Sequence, residues 1–124
     1  MKSILGVLVS FKNNGESQYA GHVLQYENYK SMYPLLNCDI FTIADRRFDD
    51  KVFSIYCDDE GLLKEDAMFG ACSEDQDEML AGNLFIVKHD DEGEIQSLTQ
   101  EEVDYILGFV RFDRLGNKWL VYNF

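Results

Sequence analysis

The alternation of apolar and polar residues divides the chain into short extended runs separated by turn chemistry. Ile4–Phe11 is apolar nearly throughout, the pattern of a central strand, and Lys12-Asn13-Asn14-Gly15 breaks it. Residues 16–25 show no decisive period and are left open. Tyr26, Tyr29 and Tyr33 fall at i, i+3 and i+7, which predicts a short helix over Tyr26–Tyr33. Pro34 should stop it, because the residue before a proline is pushed out of helical geometry. Ile40, Phe41 and Ile43 mark a strand over Cys38–Asp45, and residues 46–50 read as a connection of hairpin length. The next strand, Lys51–Cys57, carries Val52, Phe53, Ile55, Tyr56 and Cys57, the composition of a strand packed on both faces. It runs into Asp58-Asp59-Glu60-Gly61, read as a solvated turn.

Beyond that corner the pattern weakens. Residues 65–79 are read as part helix and part loop. Ala81–Lys88 is a clear strand, closed by His89-Asp90-Asp91-Glu92-Gly93. Leu98-Thr99-Gln100-Glu101-Glu102-Val103 is a capping box, with Thr99 as N-cap, Glu102 reaching back and Leu98 stapling onto Val103. The helix it starts should bury Val103, Ile106, Leu107 and Val110 on one stripe. Lys118–Phe124 reads as a last strand or a packed tail. These elements predict one α+β domain spanning 1–124: a mostly antiparallel sheet of four to five strands with two or three helices.

At 124 residues with 46% hydrophobic positions, the chain is long enough for one core. No run approaches the roughly 18 apolar residues of a membrane span. The N-terminal run offers no small-residue cleavage site after Phe11, so it reads as a strand and not as a secretory signal. Cys38, Cys57 and Cys72 are odd in number, and reduced thiols in a cytoplasm are the expectation. The net charge of −12 is unevenly placed. Residues 1–57 balance six acids with six bases, whereas residues 58–113 hold seventeen acids against Lys64, Lys88 and Arg111. Such a field repels nucleic acid and anionic membrane and attracts basic surfaces.

Several of these segments together carry a resemblance. They are the N-terminal strand, Tyr33-Pro34-Leu35-Leu36, Cys38-Asp39-Ile40-Phe41, Ile55–Leu63 with its acidic corner, and the glycine-led strand Ala81–Val87. In these the chain resembles an uncharacterised domain family of phages, plasmids and Firmicutes-type mobile elements, over roughly residues 3–107. Gly15–Gln25 and the tail after Gly108 have no counterpart. The resemblance carries over no catalytic residue. It implies a mobile-element protein acting in a bacterial cytoplasm, a setting in which small acidic proteins often serve in counter-defence.

The candidate chemistry is sparse. Hard cations take clustered carboxylates, but Asp58-Asp59-Glu60 point in different directions along a turn, and calcium-loop spacing is absent there and at Asp90-Asp91-Glu92. Asp-Asp-Glu-Gly occurs twice after a strand, which is turn chemistry, and no metal or other cofactor is expected. His22 and His89 have no neighbouring nucleophile, and no hydrolase, zinc or phosphate-loop motif occurs. A non-catalytic role is therefore expected, with an unrecognised enzyme the remote third choice.

Two function classes remain. The first is an acidic interaction protein that occupies a basic, nucleic-acid-binding surface of a host protein, its carboxylates standing in for phosphates. The candidate contact residues are Asp58, Asp59, Glu60, Glu74, Asp75, Asp77, Glu78, Asp90, Asp91 and Glu92. The second is an oligomeric module that sequesters a small nucleotide-like signal. Tyr26, Tyr29 and Tyr33 would stack on the ring and Arg46 and Arg47 would fork onto phosphate. The same aromatic residues also suit a core wall or a homo-oligomer interface.

Overall fold

In the computed structural model, which describes residues 2–11, 17–48, 51–59, 69–71, 80–81, 83–115 and 118–123, the first apolar run forms strand β1 (Lys2–Phe11). The undecided segment is a second strand, β2 (Ser17–Tyr26), paired with β1 in one unbroken antiparallel register from Lys2↔Tyr26 to Phe11↔Ser17. A 3-10 turn (Tyr29–Ser31) leads into a short helix, α1 (Met32–Leu36). Then follow β3 (Phe41–Phe48), β4 (Lys51–Asp58), β5 (Phe69–Ala71), β6 (Leu80–Ala81), β7 (Leu84–His89) and β8 (Ile95–Gln96). The chain continues through α2 (Gln100–Phe109), β9 (Val110–Leu115) and β10 (Lys118–Asn123).

The main sheet has the order β2-β1-β7-β4-β3, with β8 paired to the end of β7, and every pairing in it is antiparallel. Strand β7 is the centre: Ile86 faces Val7 on one side and Ile55 on the other. Successive side chains in a strand point to opposite faces, and each face is covered. On one, Val7, Val9, Phe53, Ile55, Cys57, Leu84 and Ile86 pack with Val103 and Ile106 of α2. On the other, Ile4, Leu24, Tyr56, Phe85 and Val87 pack with Met32 and Leu36 of α1. Burial on both faces explains why Phe53 to Asp58 of β4 are buried without a break. The result is an α+β fold. A separate small sheet of order β6-β5-β10-β9 includes one parallel pair, β5 with β10.

Four sequence-based expectations are corrected here. The predicted helix over Tyr26–Tyr33 lies further along, at Met32–Leu36, and Pro34 sits inside it. A proline in the first turn breaks no bond, because N–H groups there have no intrahelical partner. What ends α1 is Asn37, left-handed at φ 52°, whose N–H bonds back to Tyr33. Arg46, Arg47 and Phe48 belong to β3, so only positions 49–50 separate it from β4. Asp58 is the last, buried residue of β4 and not part of an open turn. Val110 begins β9, so the buried stripe of α2 is Val103 and Ile106, with Leu107 partly buried.

The capping box forms as its residues predict. Glu102 N–H donates to Thr99 Oγ1 at 3.2 Å, and Thr99 N–H donates to Glu102 Oε1 at 2.8 Å. That carboxylate also takes Lys88 Nζ at 2.8 Å, which ties the first turn of α2 to the end of β7. Thr99→Ala should lower stability by about 1 kcal/mol, a drop of a few degrees in melting temperature for a domain this size. An unchanged melting temperature would place the helix start elsewhere. Partial burial alone would raise the Glu102 pKa, but the bonds from Lys88 and Thr99 outweigh it and hold it below its ordinary 4.5. A lowered carboxyl pKa contributes stability above the ordinary value and loses it as pH falls through the folded one. Glu102→Gln keeps an acceptor and removes the charge, so its difference from wild type should narrow on acidification.

Candidate functional site

The face of the main sheet that lies under α1 holds an internal polar chain. Asp45 and Ser54 are directly paired across β3 and β4, and Ser54 Oγ donates to Asp45 Oδ1 at 2.7 Å. A serine hydroxyl has one proton to give, so His89 Nδ1, 2.8 Å away, must be the donor to Ser54 Oγ. The neutral ring then carries its proton on Nδ1, and Nε2 accepts from the Tyr56 hydroxyl at 2.7 Å. Burial, with lesser contributions from Tyr26 and Asp45, pushes the Tyr56 pKa up to about 12, which keeps that hydroxyl a donor. The chain Tyr56–His89–Ser54–Asp45 is therefore directional, and it ends on an exposed carboxylate. It is not an activated nucleophile. The serine proton points at Asp45, and the imidazole donates to the serine oxygen instead of accepting from it.

Beside this chain runs a row of rings. Tyr29 meets Tyr33 edge-on at 6.2 Å between centroids, Tyr33 meets Phe41 at 5.7 Å, Phe41 meets Tyr56 at 5.4 Å, and Tyr56 meets His89 at 5.6 Å. The row begins at an exposed tyrosine and finishes in the polar chain. At its Tyr33 side a cavity of about 430 Å³ is lined by Tyr33, Pro34, Asn37, Cys38, Asp39, Ile40 and Asp58. Asp58 and Tyr56 share a strand face, yet the Tyr56 hydroxyl reaches the other way, to His89. The polar chain therefore does not line the cavity. On the opposite face, burial raises the Cys57 thiol to about 11, against the pull of Arg46, so it stays protonated.

The tyrosines and arginines proposed as one pocket are only partly brought together. Tyr29 and Tyr33 are in contact, while Tyr26, at the end of β2, packs against the core cluster under α1. Arg46 pairs with Phe53, one position out of step with Asp45, so it faces α2 and not the tyrosines. It is buried there, and Nη1 donates to the Asp45 carbonyl. Arg47 pairs with Val52 through the backbone; its side chain lies outside the described residues.

The acidic candidates also separate. Asp58 is buried beside the cavity, and Asp59 is exposed. Asp90 is exposed but engaged: its Oδ1 accepts from Glu92 and Glu94 N–H, both at 2.9 Å, and its Oδ2 from Gln96 Nε2 at 3.2 Å. Together with Gly93 at φ 83°, it shapes the turn between β7 and β8. Asp91, Glu92 and Glu94 are exposed on that turn. Since β4 and β7 are antiparallel, with Ser54 opposite Val87, the Asp58 and Asp90 corners lie at opposite ends of the sheet, on the order of 20 Å apart at about 3.4 Å per residue. Glu60, Glu74, Asp75, Asp77 and Glu78 lie outside the described residues, as does Cys72. Cys57 is a free thiol.

Asp45, Ser54 and the cavity residues Asn37 and Asp39 are not singled out by the sequence, and His89 enters it only as a histidine without a neighbouring nucleophile. One signal was available: Ser54 interrupts a strand that is otherwise apolar on both faces, and a buried polar group must find a partner. Among the described residues no three His, Cys, Asp or Glu side chains gather into a metal site, and no helix is long and apolar enough to cross a membrane.

The model of one protein family matches residues 13–110, from just after β1 to the first residue of β9. The chain belongs to DUF3846, a domain of unknown function. No curated protein and no solved structure matches it. The DUF3846 match spans α1, the polar chain, the cavity and the whole of β7, so the site described above lies inside the shared domain. It indicates no enzymatic family.

Proposed function

We propose that this DUF3846 protein works by binding: its acidic end engages a basic, nucleic-acid-binding surface of a host protein. The finer setting that goes with this reading is a phage or mobile-element protein, acting in a bacterial cytoplasm against a host defence. The observation that carries it is the turn between β7 and β8. The Asp90 side chain accepts two backbone N–H bonds within the turn and one from Gln96 of β8, which orders the turn, and Asp91, Glu92 and Glu94 are exposed on that frame. The Lys88–Glu102 bridge brings the first turn of α2, with exposed Glu101, to the same end of the sheet. Carboxylates on a pre-ordered frame lose little entropy on meeting cations, and such pairing speeds encounter. Of the ten residues read from sequence, Asp58 is buried, Asp90 serves the turn, and Glu60, Glu74, Asp75, Asp77 and Glu78 lie outside the described residues.

The test uses the immobilised protein and host lysate, washed at low and at high salt. Wild type should retain basic nucleic-acid-binding proteins that salt releases. Asp91→Asn with Glu92→Gln and Glu94→Gln removes three charges, and should lose those proteins while keeping its melting temperature. Equal capture by both forms would remove this turn from the interface. A second reading, a module for a small ligand, is favoured by the cavity at Tyr33. Its lining of Asn37, Asp39 and Asp58 suits a ring bearing amino donors better than a phosphate, since no cation is among its described lining residues.

A further inference from the structure

Strand β2 is an open edge of unusual character. Among the described residues it pairs with β1 alone, and its register runs through ten consecutive pairs without a bulge. About half of its backbone N–H and C=O groups therefore point away from the sheet, a template for another strand. Natural edges are commonly blunted by charge, proline or a bulge. The other edge of the same sheet follows that rule, since β3 carries Asp45, Arg46 and Arg47. In contrast, β2 reads Ser-Gln-Tyr-Ala-Gly-His-Val-Leu-Gln-Tyr: no acid, no lysine or arginine, and no proline. In a chain of 124 residues with 34 acids and bases, the longest edge strand among the described residues is the one left uncharged.

We infer that β2 is the surface on which two copies of this chain join, strand to strand and antiparallel about a two-fold axis, making one continuous sheet. The charge pattern selects a second copy as the occupant. Two bodies of net charge −12 repel, so self-association needs a meeting surface free of charge, and β2 provides it. A basic partner strand would gain nothing from an uncharged edge. The side chains also specify a register. Tyr19 is 44% exposed and Val23 53% exposed, two residues either side of Gly21. With the axis through Gly21, Tyr19 of each copy lies directly opposite Val23 of the other, an aromatic–β-branched pair made twice. A C2 interface has this self-complementary form. Its salt response is opposite in sign to that of the acidic end: salt screens the repulsion between copies and tightens the dimer, whereas it loosens binding to a basic partner.

The experiment is the oligomeric state of the purified full chain by sedimentation across protein and salt concentration, with amide exchange of β2 followed in parallel. Wild type should dimerise, more tightly at higher salt, and the β2 amides should gain protection as dimer forms. Tyr19→Lys with Val23→Lys sets lysine opposite lysine at both pairs and should weaken association on the order of tenfold or more. Tyr19→Lys with Val23→Glu sets opposite charges in the same places and should restore it. Wild type that stays monomeric at every concentration overturns the proposal, as does a dimer whose β2 amides remain unprotected. Protection of β2 only on adding a different protein would assign the edge to a foreign strand and overturn it as well. Should the double-lysine chain fail to fold, the wild-type measurements still decide.

Discussion

Replacing Gly6 with alanine should remove a large part of the fold's stability. Gly6 lies in β1 beside the central strand β7, and a Cβ built there would stand 2.7 Å from the Ile86 carbonyl oxygen and 2.8 Å from both Phe85 Cζ and Val87 Cγ1. Two of those neighbours are side chains in the core, and the third is backbone of a strand paired on both sides. None can retreat without moving β7. Overpacking a close-packed interior costs about 1–3 kcal/mol and occasionally more, and a clash with backbone belongs at the upper end. Against a total stability of roughly 5–15 kcal/mol, that is a large fraction. The comparison is Gly108→Ala. Gly108 lies in α2 with nothing within 4 Å of its would-be Cβ, so the same change should stabilise by about 0.5–1 kcal/mol through helix propensity. Urea midpoints of the two variants should move in opposite directions. An unmoved midpoint for Gly6→Ala would mean that β1 does not approach β7 this closely.

Phe85→Ala should cost about 3–5 kcal/mol, the range for deleting a fully buried aromatic side chain. Phe85 is 0% exposed, sits over Gly6, meets the His22 ring edge-on at 6.2 Å and joins the cluster under α1. The two predictions are linked: the glycine makes the space that the phenylalanine fills. The double variant should recover only part of the loss, because alanine at 85 relieves Cζ but not the Ile86 oxygen. Equilibrium urea unfolding measures it. A loss below about 1 kcal/mol would show that this side of the sheet is not a packed core.

Much of the main sheet could be read from residues alone, and the reasons are local. Ile4–Val9, Phe53–Cys57 and Leu84–Val87 are apolar on both faces because α2 covers one face of the sheet and α1 the other, and that double burial leaves a continuous run. The capping box needs only residues 98–103. In contrast, β2 was hidden because an edge strand half in solvent carries Ser, Gln, Gly and His among its apolar residues. Helix α1 was displaced because three tyrosines at helical spacing look like a stripe, although Tyr26 ends a strand and Tyr29 begins a 3-10 turn. The polar chain could not be foreseen. Asp45, Ser54 and His89 are drawn together by strand register, and a one-residue slip would turn each to the other face.

The position of β7 sets an order of events during synthesis. Strands β1 and β2 form one hairpin, β3 and β4 another, and among the described residues the two are joined in the sheet only through β7. Each hairpin can close on the order of microseconds once it leaves the ribosome. About 30 further residues must then be made before Leu84–Val87 arrive, roughly two to six seconds at ordinary elongation rates. Through that interval the nascent chain carries two unjoined hairpins, each with an open edge and an uncovered apolar face. The protein is therefore most vulnerable before its last third exists, and a pause in translation between β4 and β7 would prolong that exposure.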